Sequence, residues 1–157
     1  MKIYIDGDAL PNILKPILIR FIKKNSIQTY VVSNKAISLG GFSKNIRYVV
    51  VNQGADEADN KIVEMIKKLS DLVITADIPL ADRVISLNAN AIDHRGAIYT
   101  QDNIKQYLAI RNLMQDIRDT GEKTRGPKAF TNKDAECFAN SLNNIFQKYT
   151  KEKSYTI

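Results

Sequence analysis

Histidine and cysteine are almost absent from this chain. It has one histidine, His94, and one cysteine, Cys137. That excludes a poly-histidine zinc site and a Cys₂His₂ site. No intramolecular disulfide can form, which fits a reducing compartment. Cys137 falls among the apolar residues of a predicted helix and reads as a small core filler. A Ser–His–acid triad would have to use His94, and no G-x-S-x-G elbow occurs. His94-Arg95-Gly96 reads more simply as a loop than as a phosphate contact. There is no P-loop and no G-x-G-x-x-G, and the Gly40-Gly41 pair indicates only a turn. No apolar stretch approaches the ~18 residues that a bilayer span needs. Asp6 breaks the N-terminal apolar run too early for a signal peptide. A cytoplasmic protein with no membrane partner is therefore expected.

What is present is an ordinary globular mixture. The 157 residues fit one domain, expected over 1–149 with a polar, frayed tail at 150–157. The 23 Lys and Arg outnumber the 17 Asp and Glu, for a net charge of +6. Residues 1–100 hold 13 basic and 10 acidic side chains, and 101–157 hold 10 and 7, so there is no basic tail. The surplus leans toward a polyanion such as nucleic acid, and it also fits a basic protein with no such partner.

Apolar patterning alternates between two periods. Lys2 to Ile5, Thr29 to Val32, Ile46 to Val51, Leu72 to Thr75 and Ala89 to Ile92 read as short strands. Between them lie helical stripes. Ile13, Leu14, Ile17, Leu18, Phe21 and Ile22 form the first, interrupted by Pro16, which predicts a kink or a restart. A second helix is expected from Asp56 to Leu69, with Ile62, Val63, Ile66 and Leu69 facing inward. A third starts near Pro79 with Val84, Ile85 and Leu87 on its apolar face. Two C-terminal helices follow. Thr100 can cap the first, whose inward positions include Ile104, Leu108, Met114 and Ile117. Thr131 and Asp134 form a capping-box-like pair for the second. Strand–helix alternation implies a parallel sheet in a three-layer α/β/α fold with extra C-terminal helices.

In such folds ligands sit beyond the C-terminal ends of the strands. Asp6 and Asp8 follow the first strand, and Asp77 follows the fourth. Asp82 lies in the next helix, and Asp56 and Asp59 open the helix before the fourth strand. Singly, each has a structural reading: Asp8 and Asp77 can cap helices, Asp56 suits a helix start, and Asp82 can be solvated. Gly7 leaves the backbone free to turn between Asp6 and Asp8. Glu57 suits an exposed i,i+4 pair with Lys61. Together the acids point to one rim. Two like charges at ~4 Å repel by about 4 kcal/mol at an effective dielectric of 20. Protonation relieves that, and so does a hard divalent cation, Mg²⁺ or Mn²⁺, held by oxygen ligands. Such ions can activate water for attack on a phosphodiester.

IDGDALP, ADEADNKIV, DLVITADIPLADRVI and HRGAIYT, with the Gly-Pro loop near the C-terminus, resemble the YaiI/YqxD family of bacterial proteins over roughly Met1 to Phe146. The chain departs from the family's usual pattern with Leu10-Pro11 in place of Cys-Pro, with Pro16, and with Arg125-Gly126-Pro127 in place of Gly-Gly-Pro. The resemblance implies a PIN-like domain and a metal-dependent nuclease. Asp6, Asp59, Asp77 and Asp82 would be the catalytic metal ligands, with Asp8 and Asp56 in support and Mg²⁺ or Mn²⁺ as cofactor. Nucleic acid is the implied partner, RNA ahead of DNA. Arg95, Arg111, Arg118, Lys123, Arg125 and Lys128 are candidates to hold it, and a solvated helix face and loop would explain them equally. Arg125 and Lys128 flank a turn that could close over a substrate. Asp-x-Asp after a first strand also resembles haloacid-dehalogenase-like phosphatases, although Leu10 stands where Thr or Val is usual. A binding module that keeps the fold without turnover is the other alternative.

Overall fold

The computed structural model describes residues 1–123, 126 and 128–155. Six strands and five helices follow in the order β1 (Ile3–Asp6), α1 (Leu14–Asn25), β2 (Thr29–Ser33), β3 (Ile46–Val50), α2 (Glu57–Met65), β4 (Leu72–Ile74), α3 (Ile78–Ser86), β5 (Asn90–Ile92), β6 (Ile98–Tyr99), α4 (Ile104–Asp119) and α5 (Asn132–Tyr155). They form one sheet in the order β3-β2-β1-β4-β5-β6. The first five strands are parallel, and only β6, which the patterning does not reveal, runs antiparallel beside β5. The expected α/β architecture is therefore present, with that one edge strand added.

Period-two alternation sorts the central strands between two cores. Ile3, Ile5, Val31, Leu72 and Ile74 point to the face covered by α1 and α5. Tyr4, Val32, Val73 and Ala91 point to the face covered by α2, α3 and the start of α4. Helices on both faces account for the near-continuous apolar runs of β1 and β4.

Several expectations need correction. Pro16 is the third residue of α1, where its missing N–H has no intrahelical partner, so it neither kinks nor restarts the helix. Helix α2 stops at Met65 because Ile66 is extended, with ψ 126°. Leu69 therefore lies beyond the helix and is 68% exposed. Leu87 ends α3 and is also exposed. Ile104 is the one fully buried residue that α4 contributes, while Leu108, Met114 and Ile117 are half-buried. Helix α5 continues through residue 155, so the described part of the polar segment 150–157 is helical rather than frayed. Lys151, Glu152 and Lys153 are good helix formers. No helix among the described residues is long and apolar enough to cross a membrane.

The expected capping box is present. Asp134 N–H donates to Thr131 Oγ1 at 3.1 Å and Thr131 N–H donates to Asp134 Oδ2 at 3.0 Å. The same helix rests on the turn between β5 and β6. There Gly96 has φ +93°, and a Cβ built on it would lie 2.6 Å from the Cys137 carbonyl oxygen. Ser141 Oγ closes the contact by donating to the Gly96 carbonyl at 2.6 Å. Cys137 is half-buried at this junction.

Gly7 serves close approach rather than a sharp turn. Its added Cβ would lie 2.8 Å from Ile37 Cδ1, 3.1 Å from Ser33 Cβ and 3.2 Å from Val31 Cγ1. The Ile37 tip can swing away, but the β2 side chains cannot. Gly7→Ala is expected to destabilise the fold by about 1–2 kcal/mol. Urea unfolding checks this, and an unchanged midpoint would mean that the loop shifts freely.

Candidate acidic site at the sheet rim

The strand order reverses between β1 and β4, so the connections leaving their C-terminal ends diverge and open a crevice. A cleft of about 420 Å³ lies there, and its lining includes Asp6, Asp8, Asp56, Glu57, Asp59 and Asp77. These acids arrive from three places. Asp6 is the last residue of β1, and Asp8 follows in the next loop. Asp56 and Asp59 sit at the start of α2. Asp77 caps α3, and its Oδ1 accepts the Leu80 N–H at 3.1 Å. Its helix-cap reading and its place in the cleft are thus compatible.

Thr75 joins the two central segments. Its fully buried hydroxyl donates to Asp6 Oδ2 at 2.8 Å and accepts the Asp77 N–H at 3.0 Å. Asp6 Oδ1 accepts the Asp8 N–H at 3.3 Å. Burial pushes the Asp6 carboxyl above its usual range, the two hydrogen bonds pull it back, and Asp8 and Asp77 push it further up. Asp8 does not cap α1; its Oδ1 accepts the Asn34 N–H at 2.8 Å and ties the β1 loop to the end of β2. Asp56 occupies the left-handed region at φ 66° and makes no side-chain cap. That conformation costs about 1 kcal/mol and is tolerated best by Asn and Asp.

Asp59 carries the strongest perturbation. Its carboxyl rises from 3.8 to about 7, first because it is half-buried, then because Asp77, Asp6 and Asp56 repel its charge. Arg83 opposes the rise. This arginine, on α3, donates from Nη1 to Asn60 Oδ1 at 2.8 Å and spans from α3 to α2. The sequence reading passes over Arg83 and Thr75. A hydroxyl two residues before Asp77 is the one local hint of the second. Glu57 also differs from expectation: Lys61 lies 3.9 Å from Glu64, and Glu57 faces the cleft.

Other candidates lie elsewhere. Asp82 is outside the cleft lining and pairs with Lys105 Nζ at 2.8 Å, because one more turn of α3 carries it toward α4. Arg95 is an internal brace. It pairs with Asp134 at 2.6 Å, donates to the Lys128 carbonyl and stacks over Phe130 at 5.4 Å. Arg111 is exposed on α4 and donates to Asn112 at 3.3 Å. Arg118, Lys123 and Lys128 are also exposed. Arg125 lies outside the described residues, as does Pro127. His94 is buried, with burial lowering its pKa, and its Nε2 has no partner among the described residues.

The donor chemistry of the cleft, all carboxylate oxygen with mutual repulsion, suits a hard divalent cation. Among the described residues, however, no three His, Cys, Asp or Glu side chains converge closely enough to hold an ion as they stand. The acids line an open cleft rather than a finished cage.

An α/β protein with a multi-acid cleft at its topological switch point is the class this geometry defines. The chain belongs to the family described as Uncharacterized BCR, YaiI/YqxD family, whose model matches residues 4–148. A UPF0178 protein of Sulfurimonas denitrificans is 62% identical over 148 residues, covering 94% of this chain and 97% of the relative. One from Sulfurovum sp. is 57% identical, covering 94% and 99%. One from Marinomonas sp. is 44% identical, covering 96% and 100%. No solved structure matches the chain.

The repulsion at Asp59 has a pH signature. Its folded-state pKa lies above the ordinary value, so the folded protein binds the extra proton between about 4 and 7. The stabilisation from that proton is complete below pH 4 and lost as pH rises through 7. Asp59→Asn is expected to raise stability at pH 8 by about 1–2 kcal/mol after solvent screening is allowed for. At pH 4 the gain should vanish. Thermal melts at both pH values check this, and an equal gain at both would mean that the repulsion is not its source.

Proposed function

We propose that the chain is a metal-dependent phosphodiester hydrolase acting on nucleic acid, with the acid cleft as its active site. The observation that carries this reading is the cleft itself, where Asp6, Asp59 and Asp77 arrive from three separate segments at the switch point of the sheet, and the raised Asp59 carboxyl is in keeping with it. Asp6, Asp59 and Asp77 are the residues to hold Mg²⁺ or Mn²⁺, with Asp8, Asp56 and Glu57 around them. The bound ion would supply positive charge and lower the pKa of water at the cleft.

The protein's own contribution is positioning. Thr75 fixes the Asp6 carboxylate through Oδ2, and the helix cap fixes Asp77 through Oδ1. Among the described residues Asp59 has no hydrogen-bond partner of that kind, which makes it the freest of these three to turn toward an ion. A protonated Asp59 is a poor ligand, so on this reading metal binding displaces its proton and the affinity for the ion rises with pH. Asp82 is assigned no metal role, since its partner is Lys105.

The test is cleavage of single-stranded RNA and DNA with Mn²⁺, with RNA the better substrate. Asp6→Asn and Asp77→Asn should each lower the rate by at least about 100-fold, while Asp82→Asn should retain most of it. Equal rates in all four proteins would identify a contaminating nuclease and remove the assignment. The open arrangement of the acids favours a second reading, a nucleic-acid-binding module without turnover. That reading expects salt-sensitive binding, no cleavage, and indifference to Asp77→Asn.

A further inference from the structure

The opposite edge of the sheet carries charge of the other sign. Lys2 immediately precedes β1, Lys68 lies beyond the end of α2, and Lys153 lies near the end of α5. All three line one groove of about 450 Å³, floored by Ile27, Phe146 and Tyr149. The Met1 amine donates to the Tyr149 hydroxyl at 2.8 Å, and the Lys153 ammonium lies 6.0 Å from the Tyr149 ring centroid. No carboxylate is among the described residues that line the groove. None of the three lysines is paired with a carboxylate among the described residues.

Two features of the fold offset part of this charge. Asp71 lies beneath, fully buried, and accepts the backbone N–H groups of Lys2 at 3.0 Å and of Lys67 and Lys68 at 3.2 Å. Both of its oxygens accept backbone N–H groups, and no ion pair between it and a lysine is found among the described residues. The C-terminal ends of α1, α2 and α5 lie at this end of the sheet, and each is equivalent to roughly half a negative charge. One carboxylate and three helix ends offset about two and a half of the three lysine charges, and the Met1 amine adds a fourth positive group to the groove. They share a concave surface.

We propose that this groove is an anion-binding site for a phosphate group, with Lys2, Lys68 and Lys153 as its ligating side chains. Lysine acts there as a point charge on a flexible stem, which suits phosphate without demanding one orientation. The phosphate can belong to a nucleic-acid backbone or to a small phosphorylated molecule. The site is separate from the acid cleft, since Lys2 and Asp6 lie at opposite ends of β1.

The experiment uses the full chain in EDTA, which removes divalent ions. The groove triple Lys2→Gln, Lys68→Gln, Lys153→Gln is compared with a control triple of equal charge, Lys35→Gln, Lys44→Gln, Lys133→Gln. A labelled single-stranded oligonucleotide is followed by anisotropy across a salt series, and inorganic pyrophosphate by calorimetry. If the ligand is a nucleic-acid backbone, the groove triple lowers the slope of log K against log salt by about 2, at ~0.7 per phosphate contact. The control triple then leaves the slope near that of the wild type. If the ligand is small, pyrophosphate binds and loses affinity at least about tenfold in the groove triple alone, and oligonucleotide binding is unchanged. Equal losses in both triples, or binding of neither probe to the wild type, would overturn the site. The readout is binding in EDTA, with no cleavage step, so its outcome does not depend on whether the nuclease reading holds.

Discussion

The fully buried Thr75 hydroxyl donates to Asp6 at the end of β1 and accepts from the Asp77 amide after β4. It is one atom with two bonds, and it decides where both carboxylates stand. The parallel pairing of β1 with β4 sets the distance that this hydroxyl spans, with Ile5 beside Ile74. The apolar runs that bury those strands therefore hold the acids close despite their repulsion. A hydroxyl buried here without both partners would itself be costly, by about 1–3 kcal/mol. The hydrogen bonds thus serve the core and the cleft together.

The layered fold is legible in the sequence because it rests on period and length. Short β-branched runs alternate with helical stripes, and five strands fall close to their expected places. What the sequence does not display is where a helix stops for geometric reasons. Ile62, Val63, Ile66 and Leu69 keep helical spacing, yet the backbone extends at Ile66 and carries Leu69 into solvent. The two-residue strand β6 is too short to leave a pattern. Its presence depends on pairing with β5, a tertiary event.

The site divides the same way. Asp6, Asp8, Asp56, Asp59 and Asp77 meet because each lies just past a strand or at a helix start, and sequence position reveals that directly. Asp82 shares a helix with that rim but faces Lys105, a partner distant in the chain. Arg95 reads as a free cation in HRG and is in fact the brace between Phe130, Lys128 and Asp134. Charge alone does not tell whether a side chain serves a ligand or another part of its own fold. Only the three-dimensional partners do: five of the six candidate acids line the cleft, while Asp82 and Arg95 are taken up by other parts of the fold.

The contact between Gly96 and Cys137 reaches further than its size suggests. A hydrogen in place of a side chain lets the carbonyl of α5 settle against a surface turn, and the φ of +93° leaves no room for a compromise. The identity of a residue in an outward-facing turn is thereby dictated by a helix much later in the chain. Mutational tolerance at that turn should follow the position of α5 rather than solvent exposure. A residue that looks free to vary is, in the alphabet the fold permits, nearly as constrained as one in the core.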